Sequence, residues 1–214
     1  MDTLHIGVLA LQGAFREHRI MLERCGAEVT EIRGGDSACA GLEQIDGLVI
    51  PGGESTTMGR LLTTWNLLDP VKKRALAGMP VYGSCAGLIL LCREVEGPDG
   101  KALDQPRLGL LNARVRRNAF GRQQDSFETT LSIRGVAEDV EAVFIRAPVI
   151  VSCGPEVEVL SRVEYEGTLL PAAVRQGHVI ATAFHPELTS DSRFHEFFLS
   201  LCRTWRRSGT GKKC

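Results

Sequence analysis

Through its first half the sequence alternates short apolar runs with stretches of helical spacing, and the period changes at glycine-bearing turns. Residues 4–10 are an apolar run ending at Gln12-Gly13. Beyond them Phe15, Ile20, Met21 and Leu22 fall at helical spacing, and Gly26 is a natural stop. Residues 29–32 and 47–50 read as two further strands, the second cut off by Pro51-Gly52-Gly53. Asp69-Pro70 is expected to open a helix, with a capping side chain and a proline at the first helical position, and Gly78 to close it. Residues 80–82 read as a short strand and residues 88–95 as an apolar helical run. Strands without polar alternation, separated by helices, must be covered on both faces. The predicted fold class is therefore α/β, with a mostly parallel central mixed sheet.

The second half is strand-rich. Runs at 113–115, 127–133, 140–145, 157–163, 172–175 and 179–184 suit antiparallel pairs or an extension of the central sheet. Asp191 or Ser192 can cap a final helix, on which Phe194, Phe197, Phe198, Leu201 and Trp205 make an apolar stripe that belongs to the core. Residues 96–107, rich in Gly, Pro and Asp, read as a surface loop. A chain of 214 residues is long enough for one well-buried α/β domain. Residues 1–207 are assigned to it, and the polar residues 208–214 to a disordered tail.

Composition narrows the function. A formal net charge of −1 argues against a nucleic-acid binder that relies on bulk positive charge. No apolar run approaches the roughly 18 residues of a membrane span, and the amino terminus lacks the basic start of a secretory signal. The seven cysteines form no Cys-x-x-Cys pair, and no histidines cluster at zinc-ligand spacing. Neither a metal nor a cofactor is expected, and reduced thiols in a cytoplasmic protein are the simplest reading.

One cysteine stands apart. Gly83-Ser84-Cys85-Ala86-Gly87 joins a predicted strand to a predicted helix, the setting of a nucleophile elbow. An isolated cysteine there would more often be a small core residue, but paired glycines permit the tight turn that lifts a side chain clear of the sheet. The following helix start turns N–H groups and a positive dipole end toward the sulfur, favouring its thiolate. A thiolate nucleophile needs an acid–base partner. Of the five histidines, His18 and His195 fall on predicted helices among polar neighbours, His5 near a strand entrance, and His178 in a turn. His185 ends a strand and is followed by Pro186-Glu187, and residues two apart in extended chain share a face. Glu187 can then orient His185 as the third member of a triad. The Pro51-Gly52-Gly53-Glu54-Ser55 turn also follows a strand end, where ligands gather in such sheets. An N–H from its glycines can join that of Ala86 as an oxyanion hole. The turn has no Gly-Lys-Ser/Thr ending, which argues against a Walker nucleotide loop.

Together, the Gly-x-Cys-x-Gly elbow, the Pro-Gly-Gly turn and the late His-Pro-Glu resemble the class I glutamine amidotransferases. Residues 6–18, 52–58, 83–89, 117–123, 144–148 and 184–189 narrow the likeness to the glutaminase subunits of pyridoxal 5′-phosphate synthases. The resemblance implies a three-layer αβα, flavodoxin-like domain. It also implies that Cys85 attacks the side-chain amide of L-glutamine to give a thioester, with His185 protonating the departing ammonia and later activating water. Gly53, Glu54, Ser55, Arg117, Ile145 and Arg146 match glutamine-binding positions, and Gln12 is placed beside the oxyanion hole of Gly53 and Ala86. Ammonia would pass to a PdxS-type synthase subunit in a hetero-oligomeric complex, with pyridoxal 5′-phosphate its product and not a cofactor of this chain. Three alternatives stay open: a glutaminase serving another synthase, such as that of histidine biosynthesis; a stand-alone cysteine hydrolase; or a non-catalytic binding subunit of the same fold.

Overall fold

A computed structural model describes residues 3–117 and 126–208. The first half runs β1 (His5–Leu9), α1 (Phe15–Arg24), β2 (Glu28–Ile32), α2 (Asp36–Gln44), β3 (Gly47–Ile50), α3 (Ser55–Thr64), α4 (Leu68–Leu76), β4 (Val81–Ser84) and α5 (Ala86–Leu91). Every residue of β3 and β4 is buried, whereas β2 leaves Glu28 and Thr30 exposed. That contrast follows from position, because β3 and β4 lie inside the sheet and β2 forms one edge. The second half runs β5 (Cys92–Glu96), β6 (Leu111–Arg116), β7 (Ser126–Ile133), β8 (Ala137–Ile145), β9 (Val149–Cys153), β10 (Glu158–Tyr165), β11 (Thr168–Gln176), β12 (Val179–Thr182), a 3-10 turn (Pro186–Leu188) and α6 (Arg193–Arg207).

Seven strands make the central sheet in the order β10-β11-β12-β4-β3-β1-β2. From β12 to β2 all neighbours are parallel, and β11 runs against both of its own. The mostly parallel mixed sheet expected from the sequence is borne out. The chain steps outward from β1 to β2, then back to β3 and β4, and right-handed crossovers therefore put α1 on one face and α2, α3 and α4 on the other. The packing agrees: α1 meets α6, while α4 meets α2 and α3, and α3 meets α5. A smaller sheet, β5-β6-β9, and the β7–β8 hairpin complete the fold.

Several local expectations are corrected. The apolar run over residues 88–95 is two elements: α5 ends at Leu91, and Cys92 turns extended (ψ 148) into β5, which pairs in parallel with β6. A short apolar run carries no period that separates helix from strand, so tertiary pairing decides. α4 begins at Leu68, with Leu67 at its cap and no side-chain bond there. Asp69 and Pro70 thus lie within the first turn, where a missing N–H has no intrahelical partner to lose. Ser192 precedes α6 without capping it, and Asp191 Oδ1 instead accepts from the Arg193 N–H at 3.0 Å. Phe194, Phe198 and Trp205 are buried, as the stripe requires, with Phe197 and Leu201 packed at its margin. α2, α3 and β9 had no counterpart in the sequence reading. The loop at 96–107 folds back along β5, and Gln105 within it is buried. Residues 209–214 of the expected tail, and 118–123 of the matching segment at Arg117, lie outside the described residues.

Candidate active site

Four strand ends converge at the carboxyl edge of the sheet. β4 delivers Cys85, which takes φ 49 and ψ −100 before α5 begins at Ala86. A side chain in that region is strained, by about 1–3 kcal/mol, and persists only where its surroundings impose it. Here they do. The Cys85 N–H donates to Thr182 O of β12 at 2.8 Å, and α5 packs so closely that a Cβ on Gly87 would sit 2.1 Å from Ile50 O. The elbow is the one the sequence predicted. Sγ lies 4.0 Å from the carbonyl oxygen of Ile145, at the end of β8.

β12 delivers His185, whose N–H donates to Val143 O of β8 at 2.8 Å. Its Nδ1 lies 2.7 Å from Glu187 Oε1, both groups buried. The connecting chain is not the extended segment expected. Pro186 starts a 3-10 turn, which brings the carboxylate round to the ring. Burial alone would lower the His185 pKa; hydrogen bonds to Cys85 and Glu187, and the charges of both, push it up to about 10. Glu187 is held far below the usual carboxylate range: burial opposes its ionisation, but His18 and His185 outweigh it. A thiol, an imidazolium and a buried carboxylate in this order can form and break an acyl thioester.

β3 delivers the Gly52-Gly53 turn, which passes so close to His185 that a Cβ on Gly52 would meet the ring at 2.2 Å. The Gly52 carbonyl accepts from the Ala14 N–H at 3.0 Å. In a trans peptide the N–H of Gly53 then points away from Ala14. Gln12, beyond β1, accepts from the Glu54 N–H through Oε1 at 2.8 Å and so lies against this turn.

Glu54 caps α3, accepting from the N–H groups of Thr56 at 3.1 Å and Thr57 at 2.7 Å. It also pairs with Arg117 Nη2 at 2.7 Å. Burial would raise its pKa, but the Thr57 and Thr56 bonds and the Arg117 charge bring it down to about 2. Arg117 Nη1 donates to Thr56 Oγ1 at 2.6 Å and to Gln105 Oε1 at 2.9 Å. Gln105 in turn donates to the buried Ser55 hydroxyl at 3.3 Å. Glu54, Ser55 and Arg117 are therefore one network, and Gln105 at its centre comes from the segment that the sequence assigns to a surface loop. Ile145 is partly exposed, and Arg146 beside it has φ 43.

His18 and His195 lie on helices, as expected, but on the faces turned to the core. Neither has any exposed surface, and His18 Nε2 reaches Ser84 Oγ at 2.8 Å and Glu187 Oε1 at 3.3 Å. The available signal was spacing, because Phe15, His18, Met21 and Leu22 share one helical face. Among the described residues no cluster of His, Cys, Asp or Glu could hold a metal ion.

Comparison with known proteins agrees with this geometry. Residues 8–204 match the model of the SNO glutamine amidotransferase family. This chain belongs to that family. As an amidotransferase it is 53% identical over 213 residues to the pyridoxal 5′-phosphate synthase subunit PdxT of Frankia alni, covering 99% of this chain and 100% of that one. It is 52% identical to the PdxT of Moorella thermoacetica, covering 92% and 99% of the two chains. A crystal structure described as a glutamine amidotransferase superposes with TM-score 0.83 at 48% identity, over 92% of this amidotransferase and 98% of that chain.

Proposed function

We propose that this amidotransferase is the glutaminase subunit of a pyridoxal 5′-phosphate synthase, hydrolysing L-glutamine to L-glutamate and ammonia. The observation that carries the reading is Cys85 on a strained elbow beside a buried His185–Glu187 pair, in a chain about half identical to PdxT over nearly its full length. The Cys85 thiolate attacks the side-chain amide carbon. The N–H groups of Gly53 and Ala86, with Gln12 bracing the turn, receive the oxyanion that forms; one such donor is typically worth about 3–4 kcal/mol of barrier. As the intermediate collapses, His185 gives its proton to the leaving nitrogen and ammonia departs, leaving a thioester. His185, now neutral, takes a proton from water; the hydroxide oxygen adds to the thioester carbon, and glutamate leaves as the thiolate returns. Glu187 keeps the imidazole in register and balances its charge.

Recognition falls to the other half of the site. The substrate's α-ammonium goes to Glu54 and its α-carboxylate to Arg117 and Arg146, with Gly53, Ser55 and Ile145 completing the pocket. The Ile145 carbonyl, near Sγ, accepts from the amide nitrogen. The ammonia passes to a PdxS-type synthase subunit docked on this chain, because ammonia released into neutral water is protonated and loses its nucleophilicity. No helix among the described residues is long and apolar enough to cross a membrane, and we place the complex in the cytoplasm. A glutamate-release assay with and without the synthase subunit tests this reading. Stimulation by the subunit, abolished in Cys85→Ala, is expected; glutamate release that survives Cys85→Ala would overturn the mechanism.

A further inference from the structure

Beneath the triad lies a set of buried polar side chains that the chemistry above does not use. His18 of α1 is enclosed on all sides. Facing it are Tyr82 and Ser84 of β4, Glu187 of the 3-10 turn and His195 of α6, with Asp191 beyond His195. The Tyr82 hydroxyl is already engaged with Thr182 Oγ1 at 3.1 Å.

The proton positions follow from both ends of this chain of groups. Nε2 of His18 lies 3.3 Å from the Glu187 carboxylate, and a lone pair there would face a negative charge. Nε2 therefore carries the hydrogen, shared between Ser84 Oγ at 2.8 Å and Glu187 Oε1 at 3.3 Å. Nδ1 of His18, 3.0 Å from His195 Nε2, must then accept, so His195 donates from Nε2. This leaves His195 Nδ1 as a bare acceptor, and that atom is buried with no partner among the described residues. An unpaired lone pair is tolerated more readily than an orphaned N–H. Glu187 Oε2 likewise has no partner among the described residues, so Oε1 carries both imidazole contacts.

We propose that His18 is a positioning residue of the triad, whose Nε2–H holds Glu187 Oε1 against His185 and moderates how strongly that carboxylate grips the imidazolium proton. The proposal rests on the reading of His185 as the acid–base of glutamine hydrolysis. A buried carboxylate that loses one of its two donors becomes a stronger base toward the other. His185 would then keep its proton too firmly to activate water, and the thioester would accumulate. His18 touches no substrate, so its loss should lower kcat without raising the KM for glutamine.

Two substitutions separate this role from packing. A glutamine at position 18 places an amide N–H where Nε2 was; an asparagine reaches only the Nδ1 position, keeping the side toward His195 and abandoning Glu187. His18→Asn is expected to lower kcat about tenfold or more, and His18→Gln to restore most of it. Both are assayed in the full chain with the synthase subunit present. The second readout needs no glutamine. In the Cys85→Ala background, which removes the thiolate charge as the thioester does, NMR titration of His185 should move up by about one pH unit in His18→Asn and much less in His18→Gln. Equal losses in the two variants with an unmoved His185 titration would make His18 a packing residue and overturn the proposal, as would wild-type kcat in His18→Asn. Should His18→Asn fail to fold, His18→Met replaces it: the thioether fills the space but donates nothing to Glu187, and the His185 titration should again rise by about one pH unit. An unmoved titration there overturns the proposal equally. Absence of glutamine hydrolysis in the unaltered complex would sink the functional reading instead, and the titration would still decide the role of His18.

Discussion

The two halves of the site are built differently. Cys85, His185, Glu187, His18 and His195 form a buried column in which every member is packed by another element. Glu54, Arg117, Ile145 and Arg146 form a mouth that is half open, and its central ion pair is already made in the free chain. The column is preorganised, so it should act on the chemical step. The mouth has partners to exchange, so it should act on substrate affinity. In the column one lost contact strands a buried charge, whereas water replaces a lost partner in the mouth.

The sharpest way to break this division is at the column's top. Cys85→Ala should reduce glutamine hydrolysis by about 10⁵-fold with the melting temperature preserved, since alanine has no nucleophilic atom to replace the thiolate. Glu187→Gln should follow, lowering kcat about a thousandfold with little change in KM, because an amide can neither balance the imidazolium nor enforce its tautomer. At the mouth Arg117→Ala should do the reverse, raising KM about ten- to a hundredfold with a smaller effect on kcat. A fall in kcat as large as that of Glu187→Gln would erase the distinction between the halves.

The mildest test uses pH. Burial holds the His195 pKa down to about 3. The unfolded chain therefore takes up a proton near pH 6.5 that the folded chain refuses until about pH 3, and stability falls as pH drops through that window, by about 1.4 kcal/mol per unit. His185 has the opposite sign. Its raised pKa stabilises the fold fully below pH 6.5, and that contribution fades as pH climbs toward about 10. Stability should peak near neutrality. Chemical denaturation at pH 7 and 4.5 should show an acid-side loss smaller by about 2–3 kcal/mol in His195→Phe than in the unaltered chain. Equal acid losses in the two chains would mean that His195 does not share the column's burial.

What the sequence revealed follows the same division by range of interaction. The elbow and the His-Pro-Glu step are local, each complete within a few residues, and their glycines and proline announce the turn. Gln105, His18 and His195 acquire their places through partners far along the chain; His18 and Ser84 are 66 residues apart, and His18 and His195 are 177 apart. No local period encodes such a meeting beyond the face of the helix on which each lies. The same reason hid β5, whose strand character depends on β6, and α3, whose cap is an acid also bound to Arg117. Parallel strands β1, β3 and β4 were legible because burial on both faces leaves an unbroken apolar run.

β12 is the last strand among the described residues, yet it lies in the interior of the sheet, between β4 and β11. During synthesis β4 must therefore wait, with one edge unpaired, until residues 179–182 emerge. The same strand carries in His185, and its Thr182 carbonyl fastens the Cys85 elbow. A nascent or truncated chain that ends before this point has an open sheet and a cysteine with neither its turn nor its base. Closure of the sheet and onset of reactivity are thus a single late event, and an unfinished molecule carries no premature thiolate chemistry.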